Sequence, residues 1–355
     1  MRLDTLGDVL MSEPAIRALK QKGAFVTLLT SSRGEAAANL LDVDEVMVYD
    51  APWLKATAER ENSRFEIEFI KTLRSHRFDA AVILTTYTQN PLPTALTLYL
   101  ADIPLRLAHC RENPYQLLTH WVQDKEEVTG VRHEVRRQLD LVASVGYEVE
   151  DERMRVKVPE RSRRYVDELL DPLELHNWIV VHPGASAESR RYPPQKFAAA
   201  CEMLARSGLQ LVFTGSQDER ELITQIQARM SVSSHNLAGG LELPQLAALL
   251  ERAPLLLANN TGPVHLAAAV GTPVVDLYAL TNAQHTPWGV PSRALFEDVP
   301  CRFCLKSVCP EGHNGCLHWV KPERVAAAVY DLLRTPGAPN YAPIILDQAR
   351  QEVNV

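Results

Sequence analysis

Short apolar runs alternate along this chain with helix-length amphipathic stretches, the pattern of repeated strand-helix-strand units. In the first half the strand-like runs are Ala24-Phe-Val-Thr-Leu-Leu-Thr30, Glu45-Val-Met-Val-Tyr49 and Phe78-Asp-Ala-Ala-Val-Ile-Leu84. Ser12–Lys22 and Phe65–His76 carry helical spacing between them. From Glu148 to Arg164 the sequence becomes charged and irregular, and then the alternation restarts. Helices are predicted at Ser162–Leu170, Gln195–Arg206, Asp218–Met230, Leu243–Glu251 and Gly262–Val270. Strands are predicted at Trp178–His182, Leu209–Thr214, Leu255–Asn259 and Pro273–Tyr278. Two doubly wound α/β halves follow, with a boundary near 150–160 and a ligand expected in the crevice at the carboxyl ends of the strands. We divide the chain into domains at 1–158 and 159–335; the Pro-rich tail at 336–355 is expected to pack back on the first domain.

Composition narrows the function classes. The chain has 355 residues, 46% of them hydrophobic and 23% charged, enough for two domains with separate cores. A net charge of −7 supplies no basic excess to neutralise a nucleic-acid backbone, so nucleic acid is not an expected partner. No run approaches the ~18 apolar residues of a spanning helix, and the first residues lack the features of a signal peptide, so a cytoplasmic location is expected. Of the 6 cysteines, four form Cys301-x2-Cys304-x4-Cys309-x6-Cys316, with His313 and His318 nearby. That spacing is compatible with a structural zinc or iron site, with reduced structural thiols or with disulfides; four thiolates would leave no open position for catalysis.

The loops after the predicted strands carry the candidate chemistry. In Leu3-Asp-Thr-Leu-Gly-Asp-Val-Leu10, Gly7 is expected to permit a tight turn before a helix. Asp8 then reads either as a capping carboxylate or as a general base. In His182-Pro-Gly-Ala-Ser186, Gly184 would let backbone approach a phosphate and Ser186 would donate to it; Arg190 and Arg191 follow as fixed positive charge. Asp218 and Glu219 begin a helix after Phe213-Thr-Gly-Ser, where they cap the helix or accept from ribose hydroxyls. Asn259-Asn-Thr-Gly-Pro-Val-His265 is the most specific segment, ending an apolar strand in two amides, a hydroxyl and a glycine at a helix start suited to a diphosphate. His265 reads as a core histidine or, beside that anion site, as a ligand contact. Asp42-Val-Asp44 has the acid-x-acid pattern of metal-dependent sugar transferases, yet it sits in a turn and reads as loop chemistry. Arg60, Arg64, Lys71, Arg74 and Arg77 read as a solvated face or as a contact for anionic core phosphates.

In this order the segments resemble glycosyltransferase family 9, the bacterial lipopolysaccharide heptosyltransferases. The resemblance also takes in Ala101-Asp-Ile-Pro-Leu-Arg106, His133 and Arg137-Gln-Leu-Asp-Leu141, and runs over nearly the whole chain. It implies a GT-B fold of two Rossmann-like domains with an interdomain cleft, the first on the acceptor side and the second binding the nucleotide sugar. It implies inverting, metal-independent transfer of heptose from ADP-L-glycero-D-manno-heptose to a lipopolysaccharide core acceptor. No cofactor is then needed for catalysis, and peripheral association with the inner membrane is compatible with such an acceptor. By matching position, Asp8 is the implied base and Arg190 the phosphate contact; Glu219 meets the nucleoside, and Thr261, Gly262 and His265 meet the diphosphate and sugar. Many relatives place Asp before the Thr-Gly, where this chain has Asn260, so the donor sugar contact becomes neutral. The apolar strand that usually precedes the Asp-x-x-Gly-Asp turn is absent before Met1-Arg2, so either the start lies upstream or the central strand is missing. A relative using another nucleotide sugar or a protein acceptor is the second reading. A nucleotide-sugar-binding or metal-organised assembly protein is the third.

Overall fold

In the computed structural model, residues 1–54, 57–124 and 132–334 are described, so the tail at 336–355 lies outside the described residues. The chain divides into two compact units, one ending at Lys157 and the other beginning at Val158.

In the first unit, β1 (Thr27–Thr30) pairs in parallel with β2 (Glu45–Val48). A second parallel sheet has the order β3 (Ala80–Ile83), β4 (Leu105–Cys110), β5 (His120–Gln123). Arg2 forms a single parallel bridge with Thr30, so the first residues run beside β1. Arg2 N donates to Leu29 O at 2.9 Å and Leu84 N to Met1 O at 2.9 Å, so Met1–Leu3 link β1 to the β3 sheet. Leu3, Leu29, Ile83, Leu98 and Ala108 form the core around this link, with Phe69 and Leu73 of helix Arg64–His76 packed on it. Each buried Leu, Ile or Phe side chain contributes about 1.5–3 kcal/mol.

The second unit is a six-stranded parallel sheet in the order β11-β10-β9-β6-β7-β8. Its strands are β6 (Trp178–His182), β7 (Gln210–Phe213), β8 (His235–Asn236), β9 (Leu256–Asn259), β10 (Val274–Leu277) and β11 (Ser292–Leu295). All of β6 and all of β9 are buried, because helices cover both faces of a parallel sheet; this is why these strands are continuous apolar runs. Side chains alternate across the sheet, so Val275 and Leu277 join the large core with Phe197, Leu204 and Val329 while Asp276 faces the other way. Helix Gly262–Val270 starts directly after β9 and ends at Gly271, whose φ of 87° is the left-handed conformation that stops a helix.

Candidate functional site

In the first unit Thr5 precedes helix Leu6–Met11, and Asp8 is the third residue of that helix. Gly7 is therefore a helical residue and not the turn glycine expected from the sequence; the helix ends at Ser12, and Pro14 begins a second one, Glu13–Gln21. Asp8 Oδ2 accepts from the Thr5 hydroxyl at 2.8 Å and from Thr5 N at 3.3 Å, the return half of a capping box. Asp8 Oδ1 meets Arg2 Nη2 at 3.3 Å. The Arg2 guanidinium is fully buried and also faces Asp4 (Nε to Oδ2, 3.0 Å) and Glu134 (Nη1 to Oε1, 3.1 Å). One cation thus serves three carboxylates. Burial pushes the Asp4 carboxyl up to about 6, with the charge of Asp8 adding to the rise against the pull of Arg2. Glu134 extends the network: Gln138 Nε2 donates to it at 2.7 Å, and Arg137 reaches Asp124 at 2.6 Å. Asp4 and Glu134 were not singled out from the sequence. Asp4 shares the Asp-x-x-Gly-Asp spacing and could have been, whereas Glu134 lies 132 residues from Arg2.

Other charged candidates of this unit have local partners. Lys20 bridges Asp42 at 2.9 Å and Asp44 at 3.1 Å, Lys157 meets Asp42 at 2.6 Å, and Asp44 accepts from Val26 N at 2.8 Å. The acid-x-acid pair is loop chemistry, as its position in the sequence implied. Arg60 pairs with Glu66, Lys71 with Glu68 at 2.7 Å and Arg74 with Asp102 at 2.8 Å, while Arg77 ends its helix with φ 53°.

In the second unit the loops at the carboxyl ends of β6 and β9 are tied together by Asn259. Its Nδ2 donates to Pro183 O at 2.7 Å and its Oδ1 accepts from Tyr192 N at 3.1 Å. Arg191 Nε donates to Ala185 O at 2.8 Å, closing the loop that holds Gly184 and Ser186. Ser186 is exposed, and Arg190 ends the short turn Glu188–Arg190. Gly184 is required by its neighbour: a Cβ there would lie 1.9 Å from Glu219 Oε1. Glu219 caps the turn after β7, its Oε2 accepting from Ser216 N at 2.7 Å, and its carboxylate stands 3.8 Å from His182 Nε2. His182 is buried and its imidazole pKa is lowered by desolvation, while Nδ1 bonds the Thr214 hydroxyl at 3.1 Å.

The start of helix Gly262–Val270 offers fewer amides than its sequence suggested. Pro263 has no N–H, and Val264 N bonds Thr261 O at 3.0 Å. Thr261 precedes the helix without capping it through its side chain, and His265 is buried in the helix. Asn260 is buried, its Nδ2 donating to Asp276 Oδ2 at 3.0 Å and to His285 O at 3.0 Å. Asp276 is wholly buried and its carboxyl is pushed up to about 7 by desolvation, opposed by the Asn260 hydrogen bond and by the charge of Arg190. Sequence reading missed Asp276, because a single acid inside Pro273-Val-Val-Asp-Leu-Tyr278 does not disturb an apolar strand pattern.

All six cysteines are free, so the disulfide reading of the late quartet is set aside. Cys301 Sγ lies 3.7 Å from His313 Nε2, and Cys309 Sγ accepts from Asn314 N at 3.4 Å. Burial raises the Cys316 thiol pKa, and a hydrogen bond with the Leu280 backbone opposes the rise. Among the described residues no three His, Cys, Asp or Glu side chains converge as metal ligands.

Two parallel α/β units in one chain define the GT-B fold, and solved structures share it. The glycosyl transferase family 9 protein from Veillonella parvula DSM 2008 superposes with a TM-score of 0.76 at 20% identity, over 94% of this chain and 95% of that one. E. coli ADP-heptose LPS heptosyltransferase II gives a TM-score of 0.72 at 22% identity, over 95% and 98%. The family described as glycosyltransferase family 9 (heptosyltransferase) matches residues 67–314, and the chain belongs to it. Lipopolysaccharide heptosyltransferase 3 of Escherichia coli is 25% identical over 292 residues, 79% of this chain and 82% of the relative.

Proposed function

We propose that this enzyme transfers heptose, with inversion and without a catalytic metal, from ADP-L-glycero-D-manno-heptose to a hydroxyl of a lipopolysaccharide core acceptor. The observation that carries this reading is the joining of the β6 and β9 loops by Asn259, which gathers Gly184, Arg190, Thr261 and Gly262 at one end of the sheet. That edge of a parallel sheet is where nucleotide ligands bind, and the fixed charge of Arg190 suits a diphosphate. Family membership supplies the transfer chemistry.

In the reaction the acceptor oxygen attacks the anomeric carbon, the bond from that carbon to the phosphate oxygen breaks, and the electron pair leaves with ADP. Asp8 takes the acceptor proton. Arg2 divides one positive charge among Asp4, Asp8 and Glu134, so three carboxylates share a single cation and its charge does not commit Asp8 alone. Arg190 and the start of helix Gly262–Val270 stabilise the departing diphosphate, Ser186 and Glu219 hold the nucleotide, and Asn260 and His265 contact the sugar. An acceptor at the inner-membrane surface implies a cytoplasmic enzyme working peripherally there. No helix among the described residues is long and apolar enough to cross a membrane.

Purified enzyme given ADP-heptose and a core acceptor should release ADP. Asp8→Asn, which keeps the shape of the side chain, should slow release by about 100-fold or more at saturating substrate. Wild-type turnover in that variant removes Asp8 as base. The Cys301-x2-Cys304-x4-Cys309-x6-Cys316 spacing supports a structural zinc or iron ion as the second part of the reading, for which the four thiols, not converging as ligands in this structure, would have to draw together and lose their protons. Elemental analysis should find about one such ion per chain; metal-free, folded, active enzyme refutes this part.

A further inference from the structure

Asn260 stands at the head of the helix assigned to the donor sugar, and the hydrogen bonds of its amide are divided unequally. Both Nδ2 hydrogens are committed, one to Asp276 Oδ2 at 3.0 Å and one to the carbonyl of His285 at 3.0 Å. Both partners are acceptors, so the amide cannot be turned over without setting oxygen against oxygen twice. Oδ1 is the atom left to meet a ligand. Asp276 has nothing else to do: it is fully buried on β10, opposite Ala258 and Ala294 on the neighbouring strands, and its Oδ1 has no hydrogen-bond partner. Burying a carboxyl with one oxygen unsatisfied is costly. A strand that needed only packing would carry an apolar residue there.

We propose that Asp276 is a positioning residue that fixes the Asn260 amide with its carbonyl oxygen forward, so that the donor site offers the sugar an uncharged, acceptor-only contact and selects a hydroxyl that donates to it. The energetic logic is specificity by commitment. With the NH2 group held from behind, Asn260 cannot adapt by flipping to a sugar that presents an acceptor at this point, and a ligand lacking the hydroxyl leaves a buried amide oxygen without a donor.

This inference rests on the reading that the second unit binds a nucleotide sugar, and the test separates the two. Titration calorimetry with ADP and with ADP-heptose gives the gain in affinity due to the sugar for each full-length variant. Asp276→Leu removes the acceptor, while Asp276→Asn also removes the charge but keeps an oxygen facing the amide. The gain should fall about tenfold in Asp276→Leu, the size of one well-placed hydrogen bond, and stay within about twofold of wild type in Asp276→Asn. ADP affinity reports a folded site and should be equal in the two variants. Asn260→Ala should lose the same gain, and adding Asp276→Leu to it should cost nothing more, because Asp276 acts through Asn260. Equal losses in the Leu and Asn variants, an undiminished gain in Asp276→Leu, or additive losses in the double variant overturn the inference while leaving the proposed donor standing. A wild-type protein that binds ADP-heptose no better than ADP overturns both.

Discussion

Arg2 organises the charged cluster of the first unit from a fully buried position. Its guanidinium and Glu134 are both completely buried, and together they hold the N-terminal residues against helix Glu134–Ala143. Breaking a buried pair by deleting one partner strands the other charge, so Glu134→Ala should destabilise the enzyme by about 3–5 kcal/mol in urea unfolding. A loss under about 1 kcal/mol would mean that Asp4 and Asp8 suffice to hold Arg2. Asp276 makes the opposite prediction about pH. Burial raises its pKa from 3.8 to about 7, so between those values the native state keeps a proton that the unfolded chain has released. Its contribution to stability is complete below pH 3.8 and is lost as pH rises through about 7. Arg190 opposes the loss, and the Tyr278 hydroxyl titrates far above this range. Asp276→Asn should therefore be more stable than wild type at neutral pH, with an advantage that shrinks as thermal unfolding is repeated toward pH 4; a constant difference would contradict this. Residues of this kind are the ones a sequence hides. Asp8 in the first turn of its helix, and Arg190 and Asn260 beyond the ends of strands, have glycine, proline and polar neighbours that mark them, whereas Asp276 lies inside an apolar strand and Glu134 meets Arg2 only through the fold.

Elements were legible where burial is two-sided and long. Trp178–His182 and helix Gly262–Val270 match their sequence bounds to the residue, because continuous apolar runs end abruptly at Pro183 and Gly271. The outer strands β8, two residues long, and β11, only half-buried, were not, and neither was β4 at the centre of its sheet, which contains Arg106 and His109, whose burial is made good by contacts no local pattern reveals. Arg106 donates to the carbonyls of Leu117 at 2.8 Å and Gln116 at 3.0 Å, and His109 bonds Arg137 O at 2.9 Å. The Gly7 expectation failed because Thr5 and Asp8 cap a helix across it, and a capped turn can carry glycine without using its freedom. Gly184 is different, since Glu219 occupies the space of its missing side chain. Gly184→Ala should push the Glu219 carboxylate off Ser216 N, costing about 1 kcal/mol in chemical denaturation and weakening nucleotide affinity in parallel. Unchanged stability and binding would mean that the Glu219 side chain yields freely.

For the molecule as a whole, two α/β units with their own cores account for the alternation of apolar and amphipathic stretches on either side of the charged segment at Glu148–Arg164. Family membership makes it a glycosyltransferase, and the proposed function puts the nucleotide sugar at the second unit's loops, on an arginine and a helix start. The buried Asp276 behind Asn260 is the feature on which the proposed choice of sugar rests. The decisive measurement is mass spectrometry of the acceptor after incubation with ADP-L-glycero-D-manno-heptose and a panel of lipopolysaccharide core acceptors. The account predicts an acceptor heavier by one heptosyl residue, formed in step with ADP and nearly abolished in Asp8→Asn. An unmodified acceptor beside efficient transfer from a different nucleotide sugar would contradict it.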